Sequence, residues 1–316
     1  MKRLFTAALV CGALAVAAPA RARVLEVGVD QSPAGLDPHL ATAFSSFVII
    51  NGTIYEGLTA IDKDLKVGPG LAESWSVAAD GKSVTFKLRP GVTFHDGSPM
   101  TSADVASSLK RVMGKTISSP LASRLAAVDS IETPDAATVV LKLKEPAAPL
   151  AVSLATIAIV PKKFEEDKDS LQKEPVGTGP FKFGEWRPNS FIRLDKHAGY
   201  WDKALPKLAG VKFNIVPESA TRQVGIAGGQ YAMLANIDAP TALQLKGKPG
   251  IGLAETLDLA YTLVGMNTSK PPFDNPKVRE ALNYALNRGE LVQAALLGAA
   301  VPAGPLSPAL KDWALA

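Results

Sequence analysis

Apolar and polar residues alternate from residue 24, with Leu25, Val27 and Val29 on one face, the period of a half-buried strand. The turn residues Ser32-Pro33-Ala34-Gly35 close it. Residues 44–60 carry helical apolar spacing that ends near Gly57. Two runs of β type, 71–77 and 83–89, flank Asp80-Gly81 and predict a hairpin. A second turn, His95-Asp96-Gly97, precedes Thr101 and Asp104. A threonine cap with an acid three positions on predicts a helix from there to about Val112.

Residues 127–131 and 138–143 read as a strand pair joined by Thr133-Pro134-Asp135. Runs within 175–196 form another pair around Pro188-Asn189. Residues 210–216 predict a strand, a helix follows from Glu218, and 260–266 predict a further strand. The clearest helical pattern spans 276–297, with apolar residues at 278, 281, 282, 285, 286, 291, 292 and 295. Strands and helices without regular β-α-β alternation point to an α/β protein with mixed α+β sheets in several lobes.

The N-terminus changes the picture of where the chain works. Lys2 and Arg3 precede an almost wholly apolar stretch, 4–18, and two small-residue cleavage patterns follow, Ala18-Pro19-Ala20 and Ala20-Arg21-Ala22. These are the parts of a secretory signal peptide over residues 1–22, and the stretch is too short for a comfortable bilayer span. A periplasmic location is expected. Cys11, the single cysteine, falls inside that segment behind Leu9 and Val10, which do not suit lipid attachment. The mature chain then has no disulfide and no thiol for metal or catalysis, so an apolar core must hold it together.

The formal net charge is +4; without residues 1–22 it is 31 bases against 30 acids. Nothing there calls for nucleic acid, or for membrane contact other than through a protein partner. No Gly-x-Ser-x-Gly elbow, phosphate loop or His-Glu-x-x-His is present. His39, His95 and His197 lack ligand spacing, so no metal, cofactor or catalytic residue is expected.

Several blocks carry a family resemblance. They are Leu36-Asp37-Pro38-His39; Pro69-Gly70-Leu71-Ala72-Glu73-Ser74-Trp75; Phe86-Lys87-Leu88-Arg89-Pro90-Gly91-Val92-Thr93-Phe94-His95-Asp96-Gly97; and Thr101-x-x-Asp104-Val105. Val176-Gly177-Thr178-Gly179-Pro180-Phe181-Lys182-Phe183 with Trp186, and Met266-Asn267-Thr268-Ser269-Lys270-Pro271-Pro272-Phe273-Asp274 leading into Val278-Arg279-Glu280-Ala281-Leu282, follow in order. Together they resemble the peptide/nickel family (family 5) of extracellular solute-binding proteins of ABC transporters, from about residue 24 to the end.

The resemblance implies a periplasmic-binding-protein-like fold of type II with three lobes. Mapped here, lobe I takes 24–57 and 175–258, lobe II is an insertion at 58–174, and lobe III begins near 259. Family chains run well beyond residue 316, so lobe III is expected to be incomplete, without the acid that meets a peptide's amine. Gly91, Gly97 and Gly179 are expected to shape turns, and Trp75 and Phe94 to anchor the smaller lobe's core. His95 and Asp96 are expected to serve the fold, and Arg279 a structural ion pair.

Ligand-binding residues carried over from the family are Thr42, Ala43, Phe44 and Ser45, then Leu234, Ala235 and Asn236, and finally Asn267. Thr42 can equally cap a helix, and Asn267 can equally be a hinge residue. The family's Gly-Glu-x-Asp before the second segment is Gly229-Gln230-Tyr231-Ala232 here, without either acid. The implied function is capture of a short peptide or similar small solute by a monomer, and delivery to an ABC permease with its ATPase. Ligand binding without the rest of lobe III is expected to be weak or absent. An exported hydrolase on the same scaffold and an inactive fragment are the alternatives. Glutathione, opines, nickel chelates or sugars are other cargoes for such a carrier.

Overall fold

The computed structural model describes residues 23–257, 259, 263–304 and 306–310, so the expected signal segment lies outside them. The order opens with β1 (Val24–Val29), α1 (Phe44–Ile50), β2 (Thr59–Ile61), β3 (Val67–Pro69), β4 (Ala72–Val77), β5 (Ser83–Leu88) and α2 (Ser102–Met113). Then come β6 (Val128–Asp135), β7 (Thr138–Leu143), α3 (Leu150–Leu154), α4 (Ser170–Lys173), β8 (Phe181–Arg187) and β9 (Phe191–Lys196). The series ends with β10 (Gly210–Ile215), α5 (Ser219–Ala227), β11 (Met233–Leu234), α6 (Ala239–Leu245), α7 (Pro276–Ala285) and α8 (Arg288–Leu296).

Two main sheets result. The five-stranded sheet runs β11-β1-β10-β9-β8, with β1 parallel to both β10 and β11. The four-stranded sheet, β4-β5-β7-β6, is wholly antiparallel. Its hairpin β4–β5 turns at Asp80-Gly81, where Gly81 takes φ +69°, and pairs Trp75 with Phe86. Alternation on β5 sends Val84, Phe86 and Leu88 inward to meet Val105, Leu109 and Val112 of α2. That helix starts where expected, with Asp104 Oδ2 accepting the Thr101 N–H at 2.8 Å. Phe94 is fully buried in this core and Trp75 packs against it.

A second core lies on the five-stranded sheet, built from Val27, Val29, Ile192, Leu194, Phe213 and Ile215, with Ile49, Ile54 and Tyr55 over them. Between the two cores the backbones press together. Gly179 N–H donates to Ile54 O at 2.9 Å, and Leu71 N–H donates to Gly57 O at 3.0 Å. A Cβ at Gly177 would strike the Ile54 carbonyl, and one at Gly179 the Thr53 carbonyl, so only glycine fits this seam. Gly179 thus serves close approach, whereas Gly91 and Gly97 take the positive φ values of turns, +71° and +86°.

Several expectations need correction. The helix expected over 44–60 is α1 alone, because Asn51-Gly52 breaks it, with Gly52 at φ +70°. The helix expected over 276–297 is two helices, because the Asn287 side chain accepts the Glu290 N–H and caps α8. Of the strand expected over 260–266, residues 260–262 lie outside the described residues and 263–266 are irregular. Arg279 makes no ion pair among the described residues; its Nη1 donates to Phe273 O at 2.7 Å and Asp274 O at 3.2 Å. No residue of α7 or α8 is buried.

Candidate functional site

The parallel strands β1, β10 and β11 end on one edge of their sheet. In such sheets ligands settle outside the carboxyl ends, where neighbouring connections leave in different directions. Here the Val216 N–H, just past β10, donates to Val29 O at 2.8 Å and holds that edge together. The loop after β1 is ordered by Ser46 Oγ, which accepts from the Ala34 N–H at 2.9 Å and the Gly35 N–H at 3.3 Å.

Thr42, Ala43, Phe44 and Ser45 form the entry to α1. The cap position belongs to Ala43, whose extended backbone leaves its carbonyl to accept from Ser46 and Phe47; Thr42 is not the cap. Phe44 is 57% exposed and Phe47, one turn on, 41%, whereas Ser46, Ile49 and Ile50 turn into the core. An aromatic pair thus lines the helix's outer face.

Leu234 belongs to β11, and Ala235 and Asn236 continue from it. The register pairs Val27 with Met233 and Gly28 with Leu234. Ala232 N–H donates to Glu26 O at 2.9 Å and Ala235 N–H to Gly28 O at 3.1 Å. No strand lies on the other side of β11 among the described residues. Asn236 turns the chain away in a left-handed conformation, φ +53°. Ala41, just before the first segment, and Ala235 both pack against the core of the five-stranded sheet. Asn267 stands outside it. Its Oδ1 accepts from the Ser269 N–H at 3.1 Å and Ser269 Oγ–H at 2.7 Å, closing a local turn.

Elsewhere in the chain lie buried polar groups that sequence reasoning did not assign. Arg111 grips Asp37 with both Nη atoms, at 3.0 and 2.7 Å, and both side chains are wholly buried. Its Nη1 also donates to His39 Nδ1 at 2.9 Å, which leaves His39 Nε2–H to donate to Ala158 O at 2.8 Å. Burial holds that ring neutral, lowering it to about 4. Glu56 accepts from Tyr200 Oη at 2.8 Å, Thr178 Oγ1 at 2.9 Å and Trp201 Nε1 at 3.2 Å. Burial pushes its carboxyl up, and those hydrogen bonds oppose the shift. Arg89 stacks over the Trp201 ring at 4.1 Å.

His95 and His197 meet edge to face, 4.9 Å between centroids, each 3.1 Å from Gly179 O. Burial lowers both, His95 to about 4. Asp96 bonds Ser98 and Lys163, so the His95-Asp96 turn is committed to local structure. All three histidines therefore spend a ring nitrogen on a backbone carbonyl. Among the described residues no three or more potential ligands gather to hold a metal. No described helix is long and apolar enough to cross a membrane. The arrangement suits binding through backbone edges and an aromatic face.

Comparison with known proteins supplies the frame. The family model described as bacterial extracellular solute-binding proteins, family 5, matches residues 66–315. The glutathione-binding protein GsiB of Pectobacterium atrosepticum is 33% identical over 309 residues, 96% of this chain and 60% of that protein. The same-named protein of Salmonella typhi is 34% identical over 290 residues, 91% of this chain and 56% of that protein. The chain thus spans about 60% of the length of these relatives. Among solved structures, the oligopeptide-binding protein AppA of Bacillus subtilis, in complex with a nonapeptide, superposes with TM-score 0.83 at 26% identity, covering 93% of this chain and 60% of its own. DppA of Helicobacter pylori, in complex with the peptide STSA, gives TM-score 0.78 at 30% identity, over 90% of this chain and 60% of its own.

Proposed function

We propose a function from one premise: the chain belongs to the bacterial extracellular solute-binding proteins of family 5. Members bind small solutes, act with ABC permease and ATPase subunits, and work in the periplasm or outside the cell; the relatives are binding proteins, not enzymes. On our reading this chain is the periplasmic solute-capturing component of an ABC importer, and its cargo is a short peptide, glutathione included. The observation that carries this reading is the open outer side of β11, at the carboxyl edge of the parallel strands. An extended peptide can add to such an edge through main-chain hydrogen bonds, which give affinity without reading each side chain.

The binding residues proposed are Thr42, Ala43, Phe44 and Ser45, with Leu234, Ala235 and Asn236 opposite the added peptide, and Asn267 from the beginning of the closing lobe. The proposed lobe limits are 24–57 with 175–258, 58–174, and 259 onward. Two separate apolar cores, one on each main sheet, support the first division. Closure is driven by preference of the cargo for the closed form, since a ligand shifts an equilibrium only by its differential affinity. Glutathione as cargo is favoured by the names of the relatives at 33–34% identity.

A thermal melt of residues 23–316, with and without glutathione and a mixed di- and tripeptide library, tests the reading. Ligand that binds only the folded chain raises stability by about 2.7 kcal/mol at a hundredfold excess over Kd. An upward shift supports peptide capture and overturns the expectation that binding is weak without the rest of lobe III. A cooperative melt unmoved by millimolar glutathione and by the library would overturn it for this chain.

A further inference from the structure

Among the described residues two arginines are buried, and they differ in what balances them. Arg111 has a carboxylate, Asp37, on both Nη atoms. Arg222, on α5, is 3% exposed and has none: no ion pair forms on it among the described residues. Its Nη1 donates to Val216 O at 2.6 Å and Pro217 O at 2.8 Å, both neutral acceptors, and its buried Nε, like that of Arg111, has no partner. Glu218, at the cap position just before the helix, does not pair with it. Asp238, at the start of α6, is occupied by Thr241, whose N–H it accepts at 2.7 Å. Hydrogen bonds from Thr241 hold the Asp238 carboxyl low, and the charge on Arg222 adds to that. The guanidinium therefore acts on Asp238 from outside ion-pair reach.

The place of this charge matters. Val216 and Pro217 are the first residues beyond β10, on the same carboxyl edge as the end of β1 and the Leu234–Asn236 segment. The Arg222 guanidinium, 3% exposed and bonded to two neutral carbonyls, feels the Asp238 carboxylate only at a distance, and a buried charge without a close counter-ion is costly unless an anion answers it. Arginine's flat fork is suited to a carboxylate.

We propose that Arg222 is an anion-selecting residue of the solute site, and that the cargo carries a carboxylate which balances it at the carboxyl edge of β1, β10 and β11. As to cargo, this rests on the peptide-capture reading; as to the anion site itself, it does not. Neutral peptides are then poor ligands, and specificity comes from a fixed positive charge under a backbone edge that reads no side chains.

The test uses the whole chain. Side-chain 15N–1H spectra follow the Arg222 Nε–H, assigned through its own side-chain carbons, while sodium acetate is added at constant ionic strength; acetamide is the uncharged twin. The expected result is a shift that saturates with acetate and not with acetamide. A resonance that ignores acetate, or follows both alike, overturns the anion site. Calorimetry then compares glutathione with its diethyl ester on the native chain and on Arg222→Gln. The substitution is expected to weaken the charged tripeptide by at least about tenfold and leave the ester unchanged. Equal losses for both would overturn the selectivity claim. If neither peptide binds while acetate still shifts Arg222, the anion site stands and the peptide-capture reading falls.

Discussion

Asp37 and Arg111 form a two-pronged pair inside the protein, Oδ1 to Nη1 at 3.0 Å and Oδ2 to Nη2 at 2.7 Å, between side chains with no exposed surface. The pair joins the loop after β1 to α2, and thereby the two cores.

Removing one partner leaves a buried charge unanswered. Asp37→Ala is therefore expected to cost about 3–5 kcal/mol, read from urea unfolding. The double variant Asp37→Leu with Arg111→Met, which removes both charges and makes the site apolar, should recover most of that loss. A single variant within about 1 kcal/mol of the native chain would contradict the pair's structural role.

Acid should weaken the fold in a defined window. His39 and His95 titrate near about 4 in the folded chain against 6.5 unfolded, chiefly through burial, and His197 is lowered for the same reason. The unfolded chain takes protons first as pH falls, so the stability gained by keeping these rings neutral is whole above pH 6.5 and lost between 6.5 and 4. Asp96 acts lower. Although burial pushes it up, hydrogen bonds from Lys163 and Ser98 hold it at about 2, so its share is lost below 3.8. Urea midpoints measured across pH should fall within the first window, and His95→Gln should flatten that fall. A level profile from pH 6.5 to 4 would refute the histidine assignment.

The glycine seam makes a sharp comparison. Gly177→Ala drives a methyl into the Ile54 carbonyl and to 2.7 Å from the Tyr55 ring, and is expected to cost about 1–3 kcal/mol. Gly68→Ala meets nothing within 4 Å and should stay within about 0.5 kcal/mol of the native chain. Differential scanning calorimetry of both decides it: similar melting points would mean that the seam tolerates side chains.

Much of the fold was legible in the sequence where local chemistry alone decides. The β4–β5 hairpin announced itself through alternation and Asp80-Gly81, and α2 through Thr101 and Asp104. Prediction failed where a local competitor interrupts a good pattern. Gly52 stops α1, and Asn287 begins a new helix inside an unbroken apolar stripe. Strand β11 escaped notice because two residues carry no period. The buried polar pairs were hidden for another reason: Asp37 and Arg111 lie 74 residues apart, and nothing in either neighbourhood names the partner. For the candidate site, family resemblance pointed to 42–45 and 234–236, whereas Arg222 becomes visible only once burial and partners are known.

The brevity of β11 has a consequence for life in a crowded compartment. An edge strand is an invitation to any extended chain, including another copy of the same protein, and long flat edges are where fibrils start. Two residues offer few backbone hydrogen bonds, enough to help a ligand that the rest of the site also holds and too few to keep a passing chain. A visitor must bring something more to stay, so the same shortness that makes the edge hard to see in the sequence keeps it from becoming a seed for aggregation.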